Sequence, residues 1–336
     1  MRVDISMWHK AITIMPRLNK QEWDRLDPVA KWLVATRSAA IVMSFTSASI
    51  AGLLAFRDAQ FTLWVWLVLT FGLIMAHATN NLLNDYVDYT RGIDEGNYFR
   101  DQYGPQPLEL GLMTKQGLLG YAALNGLLAA ATGVGLAIYR GGWTLPLMGI
   151  GMFFVLFYTF PLKYIGLGEL TTFLVWGPLM IGGGYYVLSG TWSWNAVVAS
   201  VPYGLAVAAT LFGKHIDKLK LDKEKGVHTL PAIIGERPAR YTALVLMALQ
   251  YVVVLYQIVT RFFTPVMLVV GLALPYFVKQ VLPMYRHPRP EERPETYPED
   301  AWPLWFVATG FVHARRFGLL FLLGLVIDTV LQRWIL

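Results

Sequence analysis

Between His77 and Asp94 the chain reads HATNNLLNDYVDYTRGID. Asn81, Asn84, Asp85 and Asp88 stand at positions i, i+3, i+4 and i+7, which share one face of a helix, and His77 lies one turn earlier on that face. Asp94 follows past Arg91 and Gly92, where such a helix should end. Amide and carboxylate oxygens grouped in this way suit a hard cation such as Mg2+, which keeps several waters and is commonly shared with substrate phosphates. The plainer alternative is a polar helix end meeting lipid headgroups. Five such groups on one stripe favour a site, because ionisable residues inside a membrane are by default functional.

A second charged stretch, GKHIDKLKLDKEKGVHTL, covers residues 213–230. Its carboxylates are Asp217 and Asp222, and Lys214, Lys218, Lys220, Lys223 and Lys225 surround them. Carboxylates beside ammonium groups could clamp a diphosphate from the side opposite the first motif. Taken alone, a solvated helix of mixed charge fits as well; the pairing with the first motif, on the same side of a membrane, favours the clamp. Asp217 and Asp222 are five residues apart and diverge by about 140° on a regular helix. Either a one-residue π-bulge realigns them, or Lys218, four residues before Asp222, takes the place of the first carboxylate. His215 shares that face.

The elements that must carry these motifs are apolar. Of 336 residues, 55% are hydrophobic and 15% charged, with mean hydropathy +0.45. A bilayer-crossing helix needs about 20 mostly apolar residues. Nine such runs are present, roughly at 39–56, 61–83, 116–138, 143–160, 169–188, 195–212, 241–260, 263–283 and 316–335. Residues 1–38 are charged, broken by Pro16 and Pro28, and carry no apolar core for a cleaved leader, so the first span is expected to target the chain. The remainder, 39–336, reads as one polytopic domain. With the N-terminus inside, only Arg57, Arg140, Arg261 and Arg333 of the 28 Lys and Arg fall outside, which is the positive-inside asymmetry. Basic loops facing an anionic leaflet account for the net charge of +6 without nucleic acid. The chain has no cysteine, which excludes disulfides, thiolate catalysis and Cys metal sites.

The two motifs, in this order and on these spans, resemble the UbiA superfamily of intramembrane prenyltransferases, and most nearly its 1,4-dihydroxy-2-naphthoate branch. The likeness rests on Asn84, Asp88 and Asp94 in NDYVDYTRGID, on YTFPLKYIGLGELTTFLVWGPLMIGGGYY (158–186), with Glu169 where Asp is usual, and on DKEKGVHTL (222–230). It implies an all-α integral membrane fold of nine transmembrane helices around a central cavity, with a cytoplasmic N-terminus. It further implies Mg2+-dependent transfer from a polyprenyl diphosphate to an aromatic acceptor, in menaquinone biosynthesis for the naphthoate branch. The enzyme would sit in the cell (inner) membrane with its site toward the cytoplasm.

On that resemblance Asp88, Asp94, Asp217 and Asp222 would be catalytic, and together with Asn84 and Asp85 would hold the metal. Arg37, Arg91, Lys163, Lys214 and Lys218 would contact diphosphate, with Arg100 a further candidate. Asn81, Tyr158 and Tyr185 would line the acceptor or cation pocket, with Trp176 and Tyr186 beside them. The second motif departs from the family's usual DxxxD, which leaves other acceptors open. A transporter would place charge near the bilayer midplane, and crowding at one mouth disfavours it. A catalytically dead scaffold finds its support in the altered second motif.

Overall fold

In lipid every backbone N–H and C=O must be paired within the chain, so long apolar runs become helices. The computed structural model describes residues 3–14, 16–96 and 104–335. Three short helices come first: α1 (Ile5–Thr13), α2 (Lys20–Arg25) and α3 (Pro28–Ala35). Then follow α4 (Ser38–Arg57), α5 (Leu63–Thr90), α6 (Lys115–Arg140) and α7 (Thr144–Phe157). Helix α8 (Gly168–Leu174) runs without a break through a π-helical stretch, Val175–Gly183, into α9 (Gly184–Ser189). Next come α10 (Trp194–Asp217), α11 (Leu219–Glu224), α12 (Leu230–Ile234) and α13 (Glu236–Val259). The chain closes with α14 (Pro265–Arg286), of mixed helical type, and α15 (Phe306–Trp334).

Among the described residues, six segments are long and apolar enough to cross a membrane: α4, α5, α6, α10, α13 and α14. Helix α7, the α8–α9 unit and α15 run between the same two ends of the bundle. Helix α10 is its axis: 78% of its apolar window is buried, against 17% for α6 at the periphery. It packs on α13, α15 and the π-helical stretch. Pro178 within that stretch has no N–H to give, which suits a widened turn. Contact with α10 is close because two glycines face each other. A Cβ on Gly177 would stand 3.3 Å from Gly204 Cα, and one on Gly204 2.9 Å from the Phe173 carbonyl. Outward-facing side chains such as Leu127, Ile138, Leu145, Val259 and Leu272 are apolar and exposed, as a lipid-facing surface requires.

The charged lead folds onto the end of the bundle where α5 terminates. Trp23, Leu26, Ala30 and Val34 share a buried cluster with Leu82, Leu112 and Leu118. Asp27 holds it together: it caps α3 through Val29 N (2.9 Å) and Ala30 N (3.0 Å) and accepts from Trp8 Nε1 at 3.1 Å. At the opposite end Arg57 meets Asp58 at 2.8 Å and Asp328 at 3.9 Å. Asp328 accepts from Thr264 N and Oγ1, and Arg333 donates to the Phe56 carbonyl. That end carries the four arginines set apart by charge placement.

Candidate active site

Helix α5 begins in the apolar run and continues without interruption through the first motif. Its inward stripe is buried as the spacing predicts: Asn81, Asn84, Asp85 and Asp88 are all at most 8% exposed. Arg37 faces them from the turn before α4, where it adopts a left-handed backbone conformation (φ 55°). A non-glycine residue held there costs on the order of 1–3 kcal/mol and persists when its surroundings fix it. Its guanidinium pairs with Asp85 and donates to Asn84 Oδ1 (3.2 Å) and the Asn81 carbonyl (3.3 Å). Asn84 Nδ2 donates to Thr159 Oγ1 (3.2 Å). Asn81 Nδ2 donates to the Thr36 carbonyl (2.8 Å), so its amide braces the Arg37 turn.

One turn on, Lys163 donates to both oxygens of Asp88, at 2.6 and 2.8 Å. Burial holds the Lys163 ammonium below its ordinary range; Asp88 opposes this, Lys218 adds to it, and Asp222 opposes it more weakly. Asp94, in the loop after α5, is pushed up to about 6, chiefly by burial and then by the charge of Asp88, against the pull of Arg37, Lys218 and Lys163. These groups therefore form one electrostatic cluster, and Lys214 also lies within reach of Asp88. Lys225 ties the two motifs: its ammonium donates to the carbonyls of Gly92 (2.8 Å), Ile93 (3.0 Å) and Glu95 (2.5 Å). A backbone bridge between Ile165 and His228 joins the Lys163 loop to the same segment.

The second motif resolves differently from the bulge expectation. Backbone hydrogen bonds Lys218 N to Lys214 O (3.2 Å) and Asp222 N to Lys218 O (2.9 Å) keep the four-residue register. Lys218 and Asp222 therefore share a face and pair at 3.3 Å. Asp217 turns away, to the start of α15, where it accepts from Phe306 N (3.1 Å) and Val307 N (3.0 Å), with Arg289 at 4.0 Å. A carboxylate on the free N–H groups and positive dipole end of a helix is doing structural work; Asp217 leaves the expected catalytic and metal sets. Asp85 is paired with Arg37, as Asp88 is with Lys163 and Asp222 with Lys218.

Three further candidates have partners of their own. Arg91 stacks on Phe160, 3.6 Å from the ring centroid, and so is held on an aromatic face. Tyr185 donates to Asp58 Oδ2 (2.7 Å) at the opposite end of the bundle, some 30 Å of helix α4 away from Arg37. Tyr186 accepts from Trp143 N (3.0 Å) at that same end. Arg100 lies outside the described residues.

A cavity of about 760 Å³ opens beside this cluster. Its walls come from α5, α6, α7 and the π-helical stretch and are almost entirely apolar. It runs the length of α7, from Tyr158 to Thr144, a distance of about 20 Å. Tyr158, His77 and Trp176 line its motif end. His77 is turned toward α4, bonded to Ser44 Oγ at 2.8 Å and edge-on to Trp176. The arrangement can hold an anionic head at the cationic mouth and an apolar tail below it.

Asn84, Asp88, Asp94 and Asp222 fit a hard divalent ion by donor chemistry. All four offer oxygen, and the mutual repulsion of Asp88 and Asp94 is what such an ion would relieve. Among the described residues no three acidic or histidine side chains yet converge on one point; Asp88 and Asp222 each lie on a lysine instead.

Two partners escaped the sequence reading. Thr159 carries no signal that would single it out. The buried Glu169–His215 pair, at 2.6 Å, had one in the unusual Glu169.

The model of the UbiA prenyltransferase family matches residues 44–308, and the chain belongs to that family; it is a prenyltransferase of the membrane. It is 25% identical to the 1,4-dihydroxy-2-naphthoate octaprenyltransferase of Bacillus subtilis over 73% of this chain and 79% of the relative. It is 27% identical to the UbiA prenyltransferase domain-containing protein 1 of Dictyostelium discoideum, over 66% and 70%. In fold it is similar to a UbiA homologue from Archaeoglobus fulgidus bound to DMAPP and Mg2+, with a TM-score of 0.59, 14% identity and coverage of 87% and 99%.

Proposed function

We propose that this chain transfers a polyprenyl group from polyprenyl diphosphate to an aromatic acceptor, 1,4-dihydroxy-2-naphthoate, in menaquinone biosynthesis. The observation that carries the reading is the buried cluster of lysine, arginine and carboxylate groups near one end of a long apolar cavity, whose lining comes near it at Tyr158 and His77. The names of the Bacillus subtilis relative and of a 33% identical 2-carboxy-1,4-naphthoquinone phytyltransferase from Synechocystis, matched over 44% of this chain and 47% of the relative, support the acceptor.

Asn84, Asp88, Asp94 and Asp222 would hold Mg2+, which when bound supplies positive charge against the diphosphate oxygens. Lys163 and Lys218 leave their carboxylates for the diphosphate as it enters, and Lys214 approaches from the same helix. Their charge stabilises the leaving group as the carbon–oxygen bond breaks, which is where binding energy lowers the barrier. The dry cavity keeps water from the allylic cation. The ring faces of Tyr158 and Trp176 stabilise that cation by about 0.5–2 kcal/mol each. Arg37 holds the α5 stripe in register.

We further read the three remaining helical segments as crossings, making nine, with the motif end and the N-terminus cytoplasmic. The enzyme is then an inner-membrane protein that draws its donor tail from lipid. The test is a membrane assay with radiolabelled polyprenyl diphosphate and 1,4-dihydroxy-2-naphthoate. A lipid-soluble product formed with Mg2+ and abolished by EDTA is expected. Donor binding without product keeps the class and rejects this acceptor; neither binding nor product rejects the reading.

A further inference from the structure

Helix α1 carries more apolar surface than the protein covers. Its residues step by about 100° around the axis. Met7, Trp8 and Ala11 form one arc, and the helix packs on α3 and α4. Ile5 and Ile12, seven residues apart, share a side and continue that arc past Trp8; they are 71% and 44% exposed. Ser6, His9, Lys10 and Thr13 fill the rest of the circle and face out. Val3 and Ile14, at the two ends, are exposed as well. Half of the apolar arc is thus uncovered by any described residue. In water such a face is a cost, whereas at a bilayer surface it is buried. Lipid lies on this flank, because α4 is a candidate span and turns Val42 and Phe45 outward. Charge agrees. Asp4, the one acidic group between residues 3 and 20, is taken up in capping α1 at Met7 N (2.9 Å), and Lys10, Arg17 and Lys20 are exposed. Helix α1 is also tied to the site. Asp27 accepts from Asp4 N (3.0 Å) and from Trp8 Nε1 and caps α3, and α3 leads straight into the Thr36–Arg37 turn.

We propose that α1 is an interfacial helix whose Ile5–Ile12 face lies in the surface of a bilayer bearing anionic lipid, and that this anchorage braces, through Asp27 and α3, the turn that presents Arg37. The isoleucines enter the boundary between headgroups and acyl chains, with Trp8 beside them at the depth where its ring is favoured. Lys10 and Arg17 meet the anionic headgroups. The polar arc of Ser6, His9 and Thr13 stays in water. Held on one side by lipid and on the other by Asp27, α1 fixes the start of α3, and the far end of α3 fixes Arg37 against Asn84 and Asp85.

The test uses the full-length protein in vesicles of phosphatidylglycerol and phosphatidylcholine. Ile5→Cys, Ile12→Cys and His9→Cys each carry a single thiol, since the chain has none, and take an environment-sensitive fluorophore. A spin label fixed near the lipid headgroups should quench the Ile5 and Ile12 probes at least about threefold more than the His9 probe. Pure phosphatidylcholine should lower that quenching by about twofold or more. Ile14→Cys repeats the reading if either isoleucine variant fails to fold. Equal quenching on both faces overturns the proposal. So do blue-shifted probes that the lipid label cannot quench, because a protein surface would then cover the face. Quenching unchanged in pure phosphatidylcholine overturns the choice of an anionic surface. The brace is read by Ile5→Ser combined with Ile12→Ser, which should raise the donor KM by about threefold or more at an unchanged unfolding temperature. Only this arm rests on the prenyl-transfer reading. An unchanged KM overturns the brace. A wild type without turnover counts against the prenyl-transfer reading, while the quenching still decides where α1 lies.

Discussion

Asp217 and Asp222 are both buried carboxylates of one motif, yet their surroundings separate them. Asp222 shares a face with Lys218 and couples to Lys163, whereas Asp217 is spent on two backbone N–H groups of α15. Asp217→Asn is therefore expected to weaken the protein by about 1–3 kcal/mol, the worth of charged hydrogen bonds, with kcat little changed. Thermal unfolding in detergent beside a turnover assay reads both. Asp88→Asn should do the reverse, cutting turnover by at least about 10²-fold while the protein stays folded. Lys218→Ala should raise the donor KM and lower turnover at least about tenfold; a near-normal enzyme would return the diphosphate role to other groups. The five-residue spacing already told that the two aspartates diverge. It could not tell which one faces the donor, because the deciding partners, Phe306 and Val307, lie some ninety residues further along.

At the scale of elements, the site depends on loops being tied to one another. The stretch after α5 carries Asp94, and Lys225 holds that stretch by three carbonyls from across the molecule. Lys225→Met should leave the helices intact but loosen Asp94. The expected result is a Mg2+ requirement raised by about tenfold, since misplaced ligands lose affinity on that scale, with an unchanged unfolding temperature. An unchanged Mg2+ titration would make the tie incidental. Element positions were largely legible: the run at 39–56 is the helix Ser38–Arg57, and the run at 143–160 is Thr144–Phe157 with the turn after it. Length and hydropathy suffice where lipid leaves the backbone no alternative. The lead segment was not legible as a folded unit. Its caps are local, at Asn19 with Glu22 and at Asp27 before Pro28. The contacts that fold it onto α6 and the loop before it, such as Lys20 to the Leu112 carbonyl and Trp32 to Asn125, bridge more than ninety residues.

For the whole molecule, the open matter is which way it faces. The end that carries Asp88 also carries 24 of the 28 lysines and arginines when the nine runs alternate, leaving Arg57, Arg140, Arg261 and Arg333 at the other. A basic segment at an anionic cytoplasmic surface gains about 1 kcal/mol per residue, so such an imbalance favours one orientation. The absence of cysteine makes this directly testable, since one introduced thiol is the only one present. Gln60, exposed in the turn between α4 and α5, marks the arginine end, and Lys223, exposed on α11, marks the motif end. In intact cells a membrane-impermeant maleimide should label Gln60→Cys, and should reach Lys223→Cys only after lysis. The reverse pattern would put the diphosphate site outside the cell, away from any cytoplasmic supply of donor. Equal labelling of both would mean dual insertion, against the charge imbalance. Labelling of both from the same side would remove an odd number of crossings between them, and the alternation that gathers the two motifs at one mouth would then need a different explanation.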